Sequence, residues 1–153
     1  MNLFGVMGLS GTALKAERIR AEIVASNMAN AETTRTASGG PYQRKHVVFA
    51  AAPEQASTFR NALIGQSASS LGVAANSGTG VEVTAVVNDP GSPVRRYDPG
   101  HPDADKNGYV NFPDIDPMTE MVDMMGAARS YQLNASAVQA SKNMLQSSID
   151  LLK

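Results

Sequence analysis

A series of positions near the N-terminus follows alternating spacings of three and four, apolar in its middle and polar at both ends, within a stretch that contains no proline. The series consists of Leu9, Thr12, Ala16, Ile19, Ile23, Ser26 and Asn30. This spacing aligns side chains on one face of a helix, so we predict a helix from Ser10 to Ala31. The pattern fits equally well an amphipathic helix that packs on its own domain and a helix of a coiled coil.

A second and longer helix is predicted at the C-terminal end. Asp116 followed by Pro117 is a favourable helix start. An acidic side chain can cap the first turn, and the N–H group that proline lacks has no partner within the helix at the first helical position. No proline follows, so the helix is expected to run to Leu152, over about 50 Å. Its seam comprises Met121, Met124, Ala128, Tyr131, Ala135, Val138, Lys142, Leu145, Ile149 and Leu152.

The region between the two helices has a different composition, since all eight prolines fall between Pro41 and Pro117. Three segments have strand-like patterns: Tyr42–Ala50, Val81–Val87 and Val94–Tyr97. In the second we expect Val81, Val83, Ala85 and Val87 to share one face. The glycine- and serine-rich residues 65–80 are predicted to form a mobile loop.

These patterns predict a mainly α fold with a small β lobe. The N- and C-terminal helices are expected to pair in antiparallel fashion as a coiled-coil stalk, with the lobe as a central insertion of β-hairpin type. Residues 1–34 and 115–153 would form the helical unit, and residues 35–114 the lobe.

Composition narrows the possible functions. The chain has thirteen Lys and Arg against fourteen Asp and Glu, so it carries no net positive charge that would favour binding to nucleic acid or to an anionic membrane. Cysteine is absent, which excludes disulfides and thiol chemistry. The apolar first ten residues carry no Lys or Arg, and no apolar run is long enough to span a bilayer. We expect a soluble protein, or one exported without cleavage.

One segment has the ligand spacing of a calcium-binding EF-hand loop. Asp103, Asp105, Asn107, Gly108, Asn111 and Asp114 match positions one, three, five, six, nine and twelve of such a loop. Prolines before it oppose the entering helix that an EF-hand needs. The alternative, which we favour, is a tight turn in which Asp and Asn side chains bind local amides and Gly108 adopts a positive φ.

No catalytic constellation is recognisable. His46 and His101 are the only histidines, and neither has a partner at helical spacing. We therefore expect no enzyme activity and no cofactor.

Charges of opposite sign are concentrated in two segments. Arg35, Arg44, Lys45 and His46 make the region after the first helix basic, whereas the range 98–123 holds seven acids. Two explanations stay open: neutralisation within one subunit, or a head-to-tail contact that fixes the register between neighbouring subunits.

Five stretches resemble a known family. ASNMANAET at Ala25–Thr33 resembles the signature at the end of the first helix of bacterial flagellar axial proteins. TTRT at Thr33–Thr36, GPYQRKHVVF at Gly40–Phe49 and YDPGHPDADKNGYV at Tyr97–Val110 resemble the FlgC family of proximal rod proteins. The long C-terminal segment containing MVDMMGAARSYQLNASAVQASKNML is similar to the same family.

The resemblance implies a non-enzymatic subunit of the rod, which crosses the periplasm and transmits torque. It implies export through the flagellar type III apparatus without cleavage, and helical assembly with copies of itself and with other rod proteins of the FlgB, FlgF, FlgG and FliE-like types. The terminal helices would form the inner tube and the β lobe would lie outside. Asn27 and Asn30 fall on the family signature, where their amides could cap carbonyls or bind across subunits.

We expect assembly to involve the seam residues together with these two asparagines. The candidate assembly residues are Leu9, Ala16, Ile19, Ile23, Asn27, Asn30, Met121, Ala128, Tyr131, Ala135, Val138, Leu145, Ile149 and Leu152.

Overall fold

The computed structural model describes residues 3–52 and 80–151, and it gives two long helices and four strands. Most of the predicted mobile loop, residues 65–79, and Leu152 lie outside these ranges. The elements in chain order are α1 Leu3–Ala29, β1 Lys45–Ala51, β2 Val81–Asn88, β3 Val94–Tyr97, β4 Tyr109–Phe112 and α2 Pro117–Asp150.

Helix α2 begins where the sequence predicts. The carboxylate of Asp116 accepts hydrogen bonds from the Met118 N–H at 3.1 Å and from the Thr119 hydroxyl at 2.7 Å, and Pro117 is the first helical residue. These two donors lower the pKa of Asp116, with the Thr119 hydroxyl as the main cause. The carboxylate therefore stabilises the first turn as a cap.

Helix α1 starts seven residues earlier than predicted, at Leu3 and not at Ser10. The predicted start was set by the seam, whose first member is Leu9. Residues 3–9 include Gly5 and Gly8, which have low intrinsic helix propensity, yet they belong to the same helix. The predicted start was therefore wrong.

The two helices lie side by side in opposite directions and form the largest interface between elements in the described part of the chain. Asn27 near the end of α1 contacts Glu120 at the start of α2, and Arg20 contacts Asp123 one turn further on. Residues earlier in α1 thus contact residues later in α2, as expected for antiparallel helices. The predicted antiparallel arrangement is present.

Strands β1 and β2 form an antiparallel ribbon interrupted by a bulge. Val48 pairs with Ala85 but Phe49 pairs with Val83, so Thr84 has no partner. Paired residues share a face, and the extra residue moves Val83 to the face opposite Ala85. The expectation that Val81, Val83, Ala85 and Val87 share one face is therefore wrong.

One face of the ribbon packs on the middle of α1. The Val81 N–H donates a 3.2 Å hydrogen bond to the Thr12 hydroxyl, and a groove of about 450 Å³ separates the elements, with Ile19 and Val83 among its lining residues. A Cβ on Gly80 would lie 2.7 Å from the Thr12 hydroxyl oxygen, so the backbone approaches α1 too closely for a larger residue. The ribbon is thus fixed to α1.

Strand β4 was not recognised in the sequence. It pairs with β3 to form a short antiparallel hairpin, in which Tyr97 and Tyr109 lie opposite each other with ring centroids 5.4 Å apart. Val110 is almost fully buried. The residues of β4 fall within the segment Asp103–Asp114, which has the spacing of a calcium loop and which we interpreted from the sequence as a turn.

The described residues form a mainly helical protein with a small β part, which confirms the predicted fold class in outline. Within residues 3–52 and 80–151, neither helix combines enough length and hydrophobicity for a transmembrane segment.

Candidate functional site

The end of α1, the start of α2 and the start of β1 meet at the side chain of Asn27. Its amide donates a 2.7 Å hydrogen bond to the Lys45 carbonyl, and its oxygen accepts one of 2.9 Å from the Lys45 N–H. The Asn27 side chain thus makes the pair of backbone hydrogen bonds that a neighbouring strand would make at the free edge of β1. Because Asn27 is 1% exposed, its hydrogen-bonding groups must be satisfied inside the protein.

Glu120 is the second buried polar group of this junction, and it too is 1% exposed. Its carboxylate accepts a 3.1 Å hydrogen bond from Asn27 and one of 2.6 Å from Arg44 Nε. The hydrogen bond from Arg44 to Glu120 raises the pKa of Arg44 above its ordinary value. A buried carboxylate is tolerated only when charged and polar donors compensate its lost hydration, and Asn27 and Arg44 provide them.

A second acid extends the junction towards solvent. Asp123 lies 3.3 Å from Arg20 on α1 and 3.6 Å from Arg44, which precedes β1. The two arginines therefore connect α1 and the β1 segment to the same turn of α2. We refer to Arg20, Asn27, Arg44, Glu120 and Asp123 as the junction network.

These contacts favour the first explanation of the charge segregation for two of the basic residues. Arg44 pairs with Glu120 and Asp123, and Arg35 lies 3.9 Å from Asp103, all within one chain. Basic and acidic segments distant in sequence thus neutralise each other inside the subunit. Lys45 instead lies over the ring of Tyr42, 5.6 Å from its centroid.

Asn30, the second asparagine of the sequence signature, terminates α1. Its amide donates a 2.9 Å hydrogen bond to the Ser26 carbonyl, and its oxygen accepts one from the Thr33 hydroxyl. The Tyr42 N–H in turn donates to the Thr33 carbonyl. Within the chain, therefore, Asn27 joins three elements and Asn30 caps a helix end, two roles that the sequence left open.

The acidic segment forms the predicted turn, and it connects two strands and not two helices. One oxygen of Asp105 accepts hydrogen bonds from the N–H groups of Asn107 at 2.8 Å and Tyr109 at 3.0 Å, and the other accepts one from Arg95. These donors, Tyr109 first, lower the pKa of Asp105. Gly108 has a φ of 80°. The turn interpretation is confirmed.

The other candidate calcium ligands do not converge on one point with Asp105. Asp103 accepts a 2.7 Å hydrogen bond from the Thr34 hydroxyl, and Asp114 lies against Gly91. Among residues 3–52 and 80–151, no three His, Cys, Asp or Glu side chains form a group suited to a metal ion. The carboxylates of Asp103 and Asp105 therefore accept hydrogen bonds from protein groups.

The buried seam between the helices is shifted by one residue from the predicted one. On α2 the buried residues Glu120, Ala127 and Ser141 each precede a predicted seam member. On α1 the buried residues Ser10, Val24 and Asn27 each follow one, whereas Ala16 is buried as predicted. A shift of one position turns a helix by about 100°. Pattern reasoning missed most of this seam because four of these seven buried residues are polar.

The candidate assembly residues consequently fall into three groups in the single chain. Ala16 and Asn27 are buried, whereas Ile19, Ile23, Asn30, Ala135, Val138 and Leu145 are half-buried. The exposed group consists of Leu9, Met121, Ala128, Tyr131 and Ile149. Their expected role in assembly stays a prediction.

Helix α2 also presents an apolar face away from α1. Met118, Val122 and Met125 lie opposite the buried Glu120 and are 68%, 61% and 59% exposed. Exposed apolar clusters of this kind are typical of interaction surfaces. Polar contacts therefore help to hold the two helices together. The apolar face of α2 is exposed and could contact another protein.

Comparison with protein families identifies both terminal segments. Residues 8–35 match the family described as "Flagella basal body rod protein", and residues 106–151 match "Flagellar basal body rod FlgEFG protein C-terminal". The first match contains Asn27 and Asn30, and the second contains Glu120 and Asp123. The junction network thus connects the two matched segments.

Curated relatives are similar over the whole length. The flagellar basal-body rod protein FlgC of Bacillus subtilis is 36% identical over 100% of both chains. FlgC of Borreliella burgdorferi is 34% identical over 100% of this chain and 99% of its own, and FlgC of Salmonella typhimurium is 35% identical over 99% and 98%. Identity at this level over full length shows that the chain belongs to the FlgC family of flagellar basal-body rod proteins.

Proposed function

We propose that this protein is a structural, non-enzymatic subunit of the rod of the bacterial flagellar basal body. The observation that carries the proposal is full-length similarity to FlgC proteins, with separate rod-family matches at the two helical ends. A rod subunit must hold its shape under load and present surfaces for neighbours. The junction network and the exposed face of α2 meet these two requirements.

The junction network supports the proposal because it connects α1, α2 and the β ribbon, so that a force on one of these elements is transmitted to the others. Asn27 and Glu120 join α1, α2 and β1 at one buried point, and Arg44 adds a charge-assisted hydrogen bond. Rotation of the β ribbon relative to the helices would expose the buried carboxylate or leave it unpaired, at a cost of several kcal/mol. The ribbon and the helical pair should thus move as one body.

In the assembled rod, residues 1–34 and 115–153 form the tube, paired as a coiled-coil stalk, and residues 35–114 form a lobe outside it. The paired helices α1 and α2 and the small size of the β part support this division. The partners are further copies of the chain and rod proteins of the FlgB, FlgF, FlgG and FliE-like types, reached by type III export into the periplasm. The exposed apolar residues of α2 support such contacts.

Deletion of the gene in its native host tests the proposal. We expect loss of swimming and electron micrographs of basal bodies without a complete rod, both restored when the gene is returned. Normal rods and normal swimming in the deletion strain would contradict it.

A further inference from the structure

The apolar face of α2 carries one charged residue. Met118, Val122 and Met125 follow one another at helical spacing, and Arg129 comes one turn later on the same side. Arg129 is exposed and has no ion pair with any residue in the described ranges. The face therefore suits an occupant that is apolar and carries a carboxylate.

The outward face of the β ribbon has this chemistry. His46, Val48 and Ala50 pair with Val87, Ala85 and Glu82, and strand alternation puts these six on the face opposite Val83, which lines the groove against α1. The backbone of Glu82 borders the same groove, and all six residues are exposed. Val48 and Val87 are 39% and 41% exposed. Glu82 has no ion pair with the residues that the structure describes. It supplies the missing carboxylate.

The two faces also match in length. From Val122 to Arg129 the helix rises about 10 Å over seven residues. From the Val87 pair to the Glu82 pair the ribbon advances four residues of β1, or about 13 Å. Apolar and charged groups are thus separated by similar distances on both faces. Within one chain the ribbon packs on α1, so its outward face is turned away from the helices.

We propose that the face of α2 formed by Met118, Val122, Met125 and Arg129 docks on the ribbon face of a second copy, with Arg129 paired to Glu82. This inference rests on the proposed function, because the contact joins unlike surfaces and so repeats from one copy to the next, as a helical rod requires. A stable dimer buries about 800 Å² on each partner, more than these few side chains provide. The contact therefore forms in the rod and not in dilute solution.

The absence of cysteine makes a direct cross-linking test possible. In the deletion host, one gene copy carries Val122→Cys and another carries Val87→Cys, and isolated basal bodies are treated with a short bismaleimide. We expect a cross-linked dimer when both variants are present and none when either is present alone, since the two faces differ. Replacing Val122→Cys by Lys142→Cys, which lies on the opposite side of α2, should abolish the adduct.

Charge exchange tests the ion pair. Arg129→Glu and Glu82→Arg should each lower the adduct yield about tenfold through like-charge contact, and the double variant should restore it. Failure of the double variant to recover would overturn the pairing. Swimming cells with intact rods but no Val122–Val87 adduct would overturn the contact and leave the proposed function standing. An adduct of Val122→Cys with a different basal-body protein would overturn the choice of a second copy.

Discussion

Asn27 donates a 3.1 Å hydrogen bond to the carboxylate of Glu120, 93 residues away in the sequence, and both side chains are almost fully buried. The same amide holds the backbone of Lys45. One residue of α1 thus fixes the position of α2 and of β1. Because buried hydrogen bonds are costly to leave unmade, this junction should dominate the stability of the subunit.

Replacing Glu120 by Gln should lower the free energy of unfolding by about 2 kcal/mol, because the hydrogen bonds to Asn27 and Arg44 lose their charge assistance. Urea unfolding followed by circular dichroism measures the change. Asp123→Asn is the matched control. Its half-exposed ion pairs should contribute less than about 1 kcal/mol. Equal losses in the two variants would contradict the importance assigned to Glu120.

Replacing Asn27 by Ala should cost about 3 kcal/mol, since the Lys45 N–H and carbonyl and one oxygen of Glu120 all lose a partner. Asn27→Asp should be at least as harmful at neutral pH, because it places a second carboxylate beside Glu120. Protonation of the introduced carboxyl removes this repulsion, so the aspartate variant should recover relative to the alanine variant as the pH falls. Parallel pH dependences of the two variants would exclude a close contact with Glu120.

The helices, three of the four strands and the turn at Asp105 could be predicted from the sequence because each has a local cause: apolar periodicity, the Asp116 cap or the positive φ of Gly108. The seam between the helices could not. Asn27 and Glu120 are polar, and their burial depends on partners that are distant in sequence. Apolar patterning instead selected the neighbouring positions, such as Met121, which are exposed in the single chain.

The face of β2 was mispredicted for a different reason. Strict alternation assigns Val83 and Ala85 to one side, and the bulge at Thr84 separates them. A bulge depends on how the partner strand pairs, which a single strand's pattern does not encode. The functional prediction was unaffected, because it depended on stretches of sequence that resemble a family and not on the face of β2.

The lowered pKa values of Asp105 and Asp116 predict how stability depends on pH. A carboxyl whose folded pKa lies below its ordinary value of 3.8 stabilises the fold above that value and loses this contribution as the pH falls through the folded pKa. Asp105→Asn should therefore melt below the parent at neutral pH, and the gap should close on acidification. Melting curves from neutral pH down to about pH 2 measure this. A gap that widens in acid would contradict the sign of the shift.

Calcium should leave the melting temperature unchanged, with or without a chelator. The oxygens of Asp105 accept hydrogen bonds from Asn107, Tyr109 and Arg95, and Asp103 is bonded to Thr34. A cation would have to displace these donors. Differential scanning calorimetry of the parent and of Asp103→Asn provides the comparison. Stabilisation by calcium in the parent but not in the variant would establish an ion site.

The central claim is that this chain forms part of the wall of the flagellar rod through paired terminal helices. Electron cryomicroscopy of basal bodies from the native host tests it most directly. We predict density for α1 and α2 as an antiparallel pair in the tube, with Asn27, Arg44 and Glu120 in contact and the β ribbon on the outside. Density for this chain outside the rod, or helices α1 and α2 separated from each other within it, would contradict the account.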